Sequence, residues 1–339
     1  MKRWLAILCI IAGGGVAVHA QTTNRLCVMA WNVGNLFDAK DDPDNPFDDE
    51  FTPTGAQNWT EEAYQSKLKN LAWVIAQVKP DILGVAEVEN RRVLVDLQQT
   101  LKKEHAFEIP EIIHREGPDY RGIEVAILSR LKPESMAWLP GNPSGREMAC
   151  GVFQKGGASF TIVMCHWKSK IVPKGTTEQA VTAQRVHEAS VVRTFLDGQL
   201  RQNPNVALLV MGDFNEDFAS PTLTRHALFL TDRAKLKSSP AALYNLAADL
   251  PESKRGTYRY KQHWEAIDSI SVSQPMLAPL SPGAWTVEPN AYTVYRDSRL
   301  VDKNGNPKGF RAVVPKDRER YTYGYSDHLP VTVELWKRF

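Results

Sequence analysis

A series of apolar runs in this chain each end in a side chain suited to acid–base or phosphate chemistry. Residues 28–31 lead to Asn32, residues 82–86 to Glu87 and residues 162–165 to His166. Residues 206–210 lead into Met211-Gly212-Asp213-Phe214-Asn215-Glu216-Asp217, and Asp268 stands inside Ala266-Ile267-Asp268-Ser269-Ile270. Ser326-Asp327-His328 comes just ahead of the apolar run 331–335. Taken singly, each is an ordinary cap or turn. Together they supply hard oxygen ligands for a Mg²⁺-like ion, two imidazoles for proton transfer and amide donors for a phosphate. That inventory suits phosphate-ester hydrolysis. It suits zinc poorly, because Cys and His do not cluster at ligand spacing, and the Gly-rich Lys-Ser/Thr loop of a nucleotide-triphosphatase is missing.

Such groups need a rigid frame. Short β-branched or apolar runs alternate with helical patterns, which is the signature of an α/β protein. Strands are expected at residues 26–32, 82–86, 124–129, 159–165, 206–211, 267–272 and 331–335. A helix should start after Thr60, an N-cap followed by Glu61 and Glu62, with Tyr64, Leu68, Leu71, Ala72 and Ile75 on one face and Pro80 as its stop. A second is expected over 178–200, where Gln184 and Arg185 interrupt the apolar face and should snorkel at its rim. In α/β proteins ligands bind where strand ends converge, so the chemistry-bearing residues should share one crevice.

Composition sets the outer bounds. With 339 residues, 43% hydrophobic and 24% charged, the chain is an ordinary globular one, which excludes wholesale disorder, collagen and a disulfide miniprotein. Lys2 and Arg3 precede an apolar run at 4–18, closed by Val18-His19-Ala20. Residues 1–20 therefore read as a signal peptide, the run being too short for a transmembrane helix, and residues 21–339 as one domain of an exported protein, periplasmic or secreted. Loss of Lys2 and Arg3 takes the net charge from +2 to zero, so any grip on nucleic acid must come from local patterning. Three cysteines remain, Cys27, Cys150 and Cys165, two of them inside apolar runs, so disulfides are not expected to be the main stabiliser. Two segments stand out by charge: 38–50 holds seven acids against Lys40, and 296–320 holds eight basic residues against four acids. Within the first, the stretch 41–50 could hold Ca²⁺, although it lacks the spacing of a calcium hand and a solvated turn is the simpler account. No stable protein partner is implied, and a monomer is expected.

The order and wording of these motifs resemble the endonuclease/exonuclease/phosphatase superfamily, the deoxyribonuclease I-like hydrolases, over residues 26–335. Met29-Ala30-Trp31-Asn32, Ala86-Glu87, Cys165-His166, Gly212-Asp213-Phe214-Asn215, Ile267-Asp268 and Ser326-Asp327-His328 carry the likeness. It implies two packed β-sheets flanked by helices, a four-layer α/β sandwich. It implies that Glu87 binds Mg²⁺ or Mn²⁺ with Asn32 supporting and Asp327 contributing. His328, oriented by Asp268, would activate water, or Asp213 would be the base instead. His166 would bind phosphate or protonate the leaving group, and Asn215 would hold the phosphate.

His166 aligns the chain with nucleases, sphingomyelinases and inositol polyphosphate phosphatases of this superfamily rather than with abasic-site endonucleases. His166-Trp167-Lys168-Ser169-Lys170 looks like a segment of its secreted bacterial nucleases, which would set Lys168 and Lys170 beside the scissile phosphate. Arg255, Tyr258, Arg259, Tyr260 and Lys261 interleave cations with aromatics, as a surface for stacked bases would. The leading expectation is an exported metal-dependent phosphodiesterase acting on DNA or RNA. The alternatives are a phospholipid phosphodiesterase or inositol-phosphate phosphatase, and, from another class, an inactive binding protein. A lipid-cleaving enzyme calls for an exposed apolar hairpin, for which 275–285 is the candidate.

Overall fold

The computed structural model describes residues 25–337, with 44, 46, 142–144, 279–282 and 313–322 outside the description. The leader at 1–20 lies outside the described residues, as do parts of the stretches 275–285 and 296–320. In chain order the first half runs β1 (Arg25–Leu36), α1 (Glu61–Val78), β2 (Ile82–Val88), α2 (Arg91–His105), β3 (Glu111–Ile113), β4 (Glu124–Ser129), β5 (Pro133–Leu139), β6 (Met148–Lys155) and β7 (Ala158–His166). It continues with α3 (Glu178–Gln202), β8 (Leu208–Asp213), β9 (Phe229–Leu230), β10 (Leu243–Asn245), β11 (Tyr258–Tyr260), β12 (His263–Glu265), β13 (Asp268–Ser273), β14 (Trp285–Val294) and β15 (Val331–Lys337).

Two sheets carry the fold. One has the order β14-β15-β1-β2-β4-β3 and the other β5-β6-β7-β8-β13-β10-β9. Each has a central parallel pair, β1 with β2 and β7 with β8, bridged by α1 and α3 respectively, and the second sheet ends in a further short parallel pair, β9 with β10. A parallel pair needs such a crossover, whereas the antiparallel neighbours do not.

The alternation of side chains explains the layers. On β1, Leu26, Val28 and Ala30 join a core shared with Phe160, Ile162 and Met164 of β7 and Leu209 and Met211 of β8. Met29, Trp31 and Val33 of β1 turn the other way, onto Leu68, Leu71 and Ile75 of α1 and Leu97 of α2. On the far side Val163 and Cys165 of β7 and Val210 of β8 meet Ala189, Val192 and Leu196 of α3. The result is helices, sheet, sheet, helix: four layers, as two-sided apolar strands require. The sheets approach closely at Gly84, where a Cβ would lie 2.5 Å from Met164 Sδ and 2.6 Å from Met211 Cε.

All seven expected strands are present: four are longer by two to five residues, 124–129 matches, and β8 and β13 keep their length but start two and one residues later. Helix α1 is capped by the Thr60 hydroxyl, which accepts from Ala63 N at 3.2 Å, and stops in a left-handed Lys79. Helix α3 corrects one expectation. Arg185 does not snorkel: it is 4% exposed, donates to Glu216 at 2.7 Å and to the Lys168 and Ser169 carbonyls at 3.2 and 3.3 Å. Glu188 accepts from Lys168 N at 2.9 Å, so one face of α3 fixes the loop that follows β7. Among the described residues Cys27, Cys150 and Cys165 are all free thiols. No helix among the described residues is long and apolar enough to cross a membrane.

Candidate active site

The inward-facing series of the central strands simply continues past the apolar core into polar residues. Leu26, Val28 and Ala30 are followed at the same period of two by Asn32, Ile162 and Met164 by His166, and Leu209 and Met211 by Asp213. On β13 Asp268 begins the series that continues with Ile270 and Val272. Strand register sets three of these in one row, His166 opposite Asp213 and Asp213 opposite Asp268.

Asp213 is the hub. Its Oδ2 accepts from Asn32 Nδ2 at 3.0 Å and lies 3.6 Å from His166 Nε2 and 3.9 Å from His328 Nε2. Its Oδ1 accepts from Asn215 N at 2.8 Å. Burial, with the Asp268 carboxylate close by, pushes the Asp213 carboxyl up to about 7, against the opposing pull of His328. Asn215 stands in a left-handed turn, φ 49°, and its amide donates to the Trp167 carbonyl at 3.0 Å.

His328 is oriented by Asp268. Their Nδ1 and Oδ2 are 2.8 Å apart, and Oδ2 also accepts from the Thr257 hydroxyl at 2.7 Å. The ring lies against Tyr258 at 4.7 Å. Burial drags the His328 imidazole down, but Asp268, Asp213 and Asp327 together outweigh it and hold the ring well above its usual range. Ser326 pins this loop, donating to the Asn32 carbonyl at 2.7 Å and accepting from His328 N at 3.1 Å.

His166 is the opposite case. Burial, with the Arg146 guanidinium next to the ring and the charges of His328 and Arg121 beyond, holds it well below the usual range, so it is neutral. Arg146 Nη1 lies 2.6 Å from the ring nitrogens, and its Nε pairs with Asp119 at 3.2 Å.

Glu87 reaches the site by breaking the pattern. It sits at a register shift in β2 with φ 63°, which swings its carboxylate toward Asn32 Nδ2, 3.2 Å away, and Asn35 N, 2.9 Å away. Asp327 is exposed and borders Gly34, where a Cβ would lie 3.2 Å from its Oδ1. Glu87, Asp213, Asp268 and Asp327 give this side of the cleft a surplus of carboxylates with hard oxygens, a donor set that fits Mg²⁺ or Mn²⁺. Among the described residues Glu87 accepts from N–H groups of Asn32 and Asn35 and is hydrogen-bonded to no cation, His166 lying 3.7 Å away. Its charge is therefore available to a metal.

The three cations expected to hold substrate separate. Lys168 is half-buried beside Arg146, and burial pushes its ammonium down. Lys170 is committed to Glu265 at 2.8 Å, and Arg259 donates to the Asn304 carbonyl at 2.9 Å. In this structure both of those side chains are held by protein partners. Arg146 and Arg121, whose Nη2 donates to Asn35 Oδ1 at 2.9 Å, are the guanidiniums that approach the site instead. Sequence reasoning missed both, as it missed Thr257 and Lys67. Lys67 alone carried a signal, a charge three residues after Tyr64 on an apolar helix face. In the acidic loop, Asp41, Asp48 and Asp49 do bring carboxylate oxygens within 4.8 Å of one another.

A sequence profile of the Endonuclease/Exonuclease/phosphatase family matches residues 27–337. The chain belongs to this family. Members of the family are generally phosphate-ester hydrolases. Among curated proteins none matches the chain. Solved structures do. Truncated Caenorhabditis elegans TDP2 superposes with a TM-score of 0.55 at 15% identity, covering 93% of this chain and 99% of that one. An endonuclease/exonuclease/phosphatase family protein from Bacteroides thetaiotaomicron gives 0.54 at 18% identity, covering 92% and 97%. D. rerio TDP2 complexed with single strand DNA product gives 0.53 at 15%, covering 92% and 98%. At these identities the likeness is one of fold, the deoxyribonuclease I-like sandwich of two sheets between helices.

Proposed function

We propose that this chain is an exported, divalent-metal-dependent phosphodiesterase that acts as a monomer on nucleic acid, most readily as an endonuclease. The observation that carries the reading is the row His166, Asp213, Asp268, with His328 and the Asn32–Glu87 pair closing over it. A metal held by Glu87, with Asn32 and Asp327 supporting, would neutralise phosphate oxygens and charge on the leaving oxygen. Asp213 Oδ2 and His328 Nε2 face each other at 3.9 Å; Asp213, its carboxyl raised to about 7, is in part ionised at neutral pH and in that form takes the proton of the attacking water, while the protonated His328 ring beside it steadies the developing charge. Asp268 and Thr257 keep the His328 ring in place. His166, kept neutral, is a poor acid but a good N–H donor to a phosphate oxygen, a role Arg146 reinforces. Asn215 orients Asp213 and offers its amide to the same phosphate.

Export rests on the composition of residues 1–20. Nucleic acid is favoured by the guanidiniums of Arg121 and Arg146 on one wall of the cleft. A lipid substrate has one observation of its own: Ile171 and Val172, in the loop after β7, are 74% and 43% exposed beside Lys170 and Lys174. The other apolar candidate is weakened, because Trp285 is buried against Phe160.

The deciding experiment is nicking of supercoiled plasmid by the mature protein with Mg²⁺, beside an EDTA sample and His328→Ala. Cleavage lost in both controls supports the reading. Intact plasmid from folded protein overturns it for nucleic acid, and a phospholipid and inositol phosphate panel then follows.

A further inference from the structure

Away from the catalytic row, His114, Glu116 and Glu124 gather where β3 ends and β4 begins. His114 Nδ1 lies 3.9 Å from Glu116 Oε1, and His114 Nε2 lies 3.8 Å from Glu124 Oε2. These separations are too long for hydrogen bonds. The His114 ring and the Glu124 carboxyl are almost wholly enclosed, with side-chain exposures of 1% and 6%, yet His114 Nε2 and Glu124 Oε2 have no partner. Two buried polar atoms aimed at each other and left unpaired cost free energy on both sides unless something sits between them.

The neighbours narrow down what that is. One oxygen of Glu124 accepts a long bond from Gly117 N at 3.3 Å, and Glu116 accepts another from Arg91 N at 3.4 Å. The site therefore offers one imidazole and two carboxyl groups, with His114 Nε2 and Glu124 Oε2 unpartnered. One ligand atom from each of the three residues falls within 4.8 Å of the others. A cation roughly 2.0–2.2 Å from a nitrogen and an oxygen would bridge the 3.8 Å gap. Imidazole beside carboxylate selects zinc-like transition metals over Mg²⁺ or Ca²⁺.

We propose that His114, Glu116 and Glu124 form a second metal site, separate from the catalytic acids, that takes one divalent transition-metal ion of the zinc class. The ion ties together both ends of the loop 114–124. That loop carries Asp119, which pairs with Arg146 at 3.2 Å, and Arg121, which reaches Asn35 at 2.9 Å. The site lies one strand from Glu87, since Glu124 is the register partner of Val88. Its function is positional: it fixes the base of the loop that brings two guanidiniums to the phosphate side of the cleft.

The test is metal content, independent of activity. Metal-stripped full-length mature protein is incubated with Zn²⁺ in a large excess of Mg²⁺, dialysed, and assayed for zinc by mass spectrometry. Wild type and Glu87→Gln should each retain one zinc per chain. His114→Ala should retain none, and Glu116→Gln, a change at an exposed side chain that leaves packing intact, should bind at least about tenfold more weakly. With Co²⁺ in place of zinc, the visible absorption of the bound ion should disappear in His114→Ala. Failure of wild type to retain zinc overturns the proposal. So does retention unchanged in both His114→Ala and Glu116→Gln, or its loss in Glu87→Gln, which would assign the ion to the catalytic acids.

Discussion

Replacing Lys67 with methionine keeps the length of the side chain and removes its nitrogen, which isolates three hydrogen bonds. Nζ donates to the carbonyls of Val33 at 2.6 Å, Gly34 at 3.0 Å and Tyr325 at 2.7 Å. These bonds stitch the catalytic end of β1 to the loop that carries Ser326, Asp327 and His328. The Val33 carbonyl is buried, so orphaning it costs about 1–3 kcal/mol, and the two part-buried bonds add about 1 kcal/mol each. Set against the apolar contact a methionine regains, the net loss at pH 7 should be about 2–3 kcal/mol. The loss should also depend on pH. Burial pushes the Lys67 ammonium down to about 7, while Asp327 and Glu87 pull it back up. An unfolded lysine titrates near 10.4. Between pH 7 and about 10 the unfolded chain thus binds a proton that the folded chain has released, so wild-type stability from this group rises with pH. Below pH 7 both states are protonated and the dependence vanishes. Methionine has no proton to release. The stability gap between wild type and Lys67→Met should therefore widen by roughly 2–3 kcal/mol from pH 7 to pH 9, one proton over two pH units. Urea unfolding followed by tryptophan fluorescence, in EDTA at pH 7, 8 and 9, measures it. A gap that stays constant would refute the reasoning, because it would mean that the three carbonyls keep the ammonium charged.

Three further outcomes follow from the same geometry. His328→Ala and His166→Ala should each lower turnover by at least ~10²-fold in protein that remains folded, and near-normal rates in either would remove that residue from the mechanism. Arg185→Ala removes the ion pair of Glu216, leaving it only the Thr222 hydroxyl, and the donor to the carbonyls of Lys168 and Ser169, so it should cost about 3 kcal/mol in urea unfolding; a loss within ~0.5 kcal/mol would mean the side chain is solvated after all. Gly212→Ala places a Cβ 2.0 Å from the Cys165 carbonyl at φ 134°, and should lower stability by at least about 2 kcal/mol and activity with it, through the adjoining Asp213. A neutral effect in the same unfolding assay would show that β7 and β8 can separate there.

The legible parts of the site share one property: they obey the period of their strand. Asn32, His166, Asp213 and Asp268 each extend a readable inward-facing series, so apolar alternation is enough to locate them. Glu87 is found from its motif, but the turn of its backbone to φ 63° leaves no trace in composition. Helix α2 carries a readable pattern, Asn90 as cap and Val93, Leu94, Leu97 and Leu101 on one face, and belongs with what sequence can reveal. Arg146, Arg121 and Thr257 do not. They enter from loops whose paths are set by packing, and a lone arginine in a loop looks the same whether it meets solvent or His166. Lys170 and Arg259 are picked out by residue type alone, and their pairing with Glu265 and the Asn304 carbonyl comes from packing that sequence does not announce. The His114, Glu116 and Glu124 cluster shows the same limit, because strand register and the turn between β3 and β4 bring together ligands that sequence spacing does not group.

On the function proposed above a neutral mature chain would handle a polyanion, and charge followed through the fold makes that less of a contradiction. The carboxylates of Glu87, Asp213, Asp268 and Asp327 line one side of the cleft, while Arg146, Arg121 and Lys168 approach His166 from the other. Their sum is small but their separation is not. A phosphodiester held between the two walls meets guanidinium and imidazole N–H groups on one flank and carboxylates able to hold a divalent cation on the other. A field of that kind acts at the scissile group rather than along the whole substrate. Each wall adds a tethered loop to its strands: Lys67 of α1 and Ser326 hold the loop of Asp327 and His328, and Asp119 within the loop 114–124 holds Arg146. Catalytic geometry in this protein is therefore set by a rigid two-sheet frame and tuned by two tethered loops, and changes to either tether should alter turnover without touching a catalytic atom.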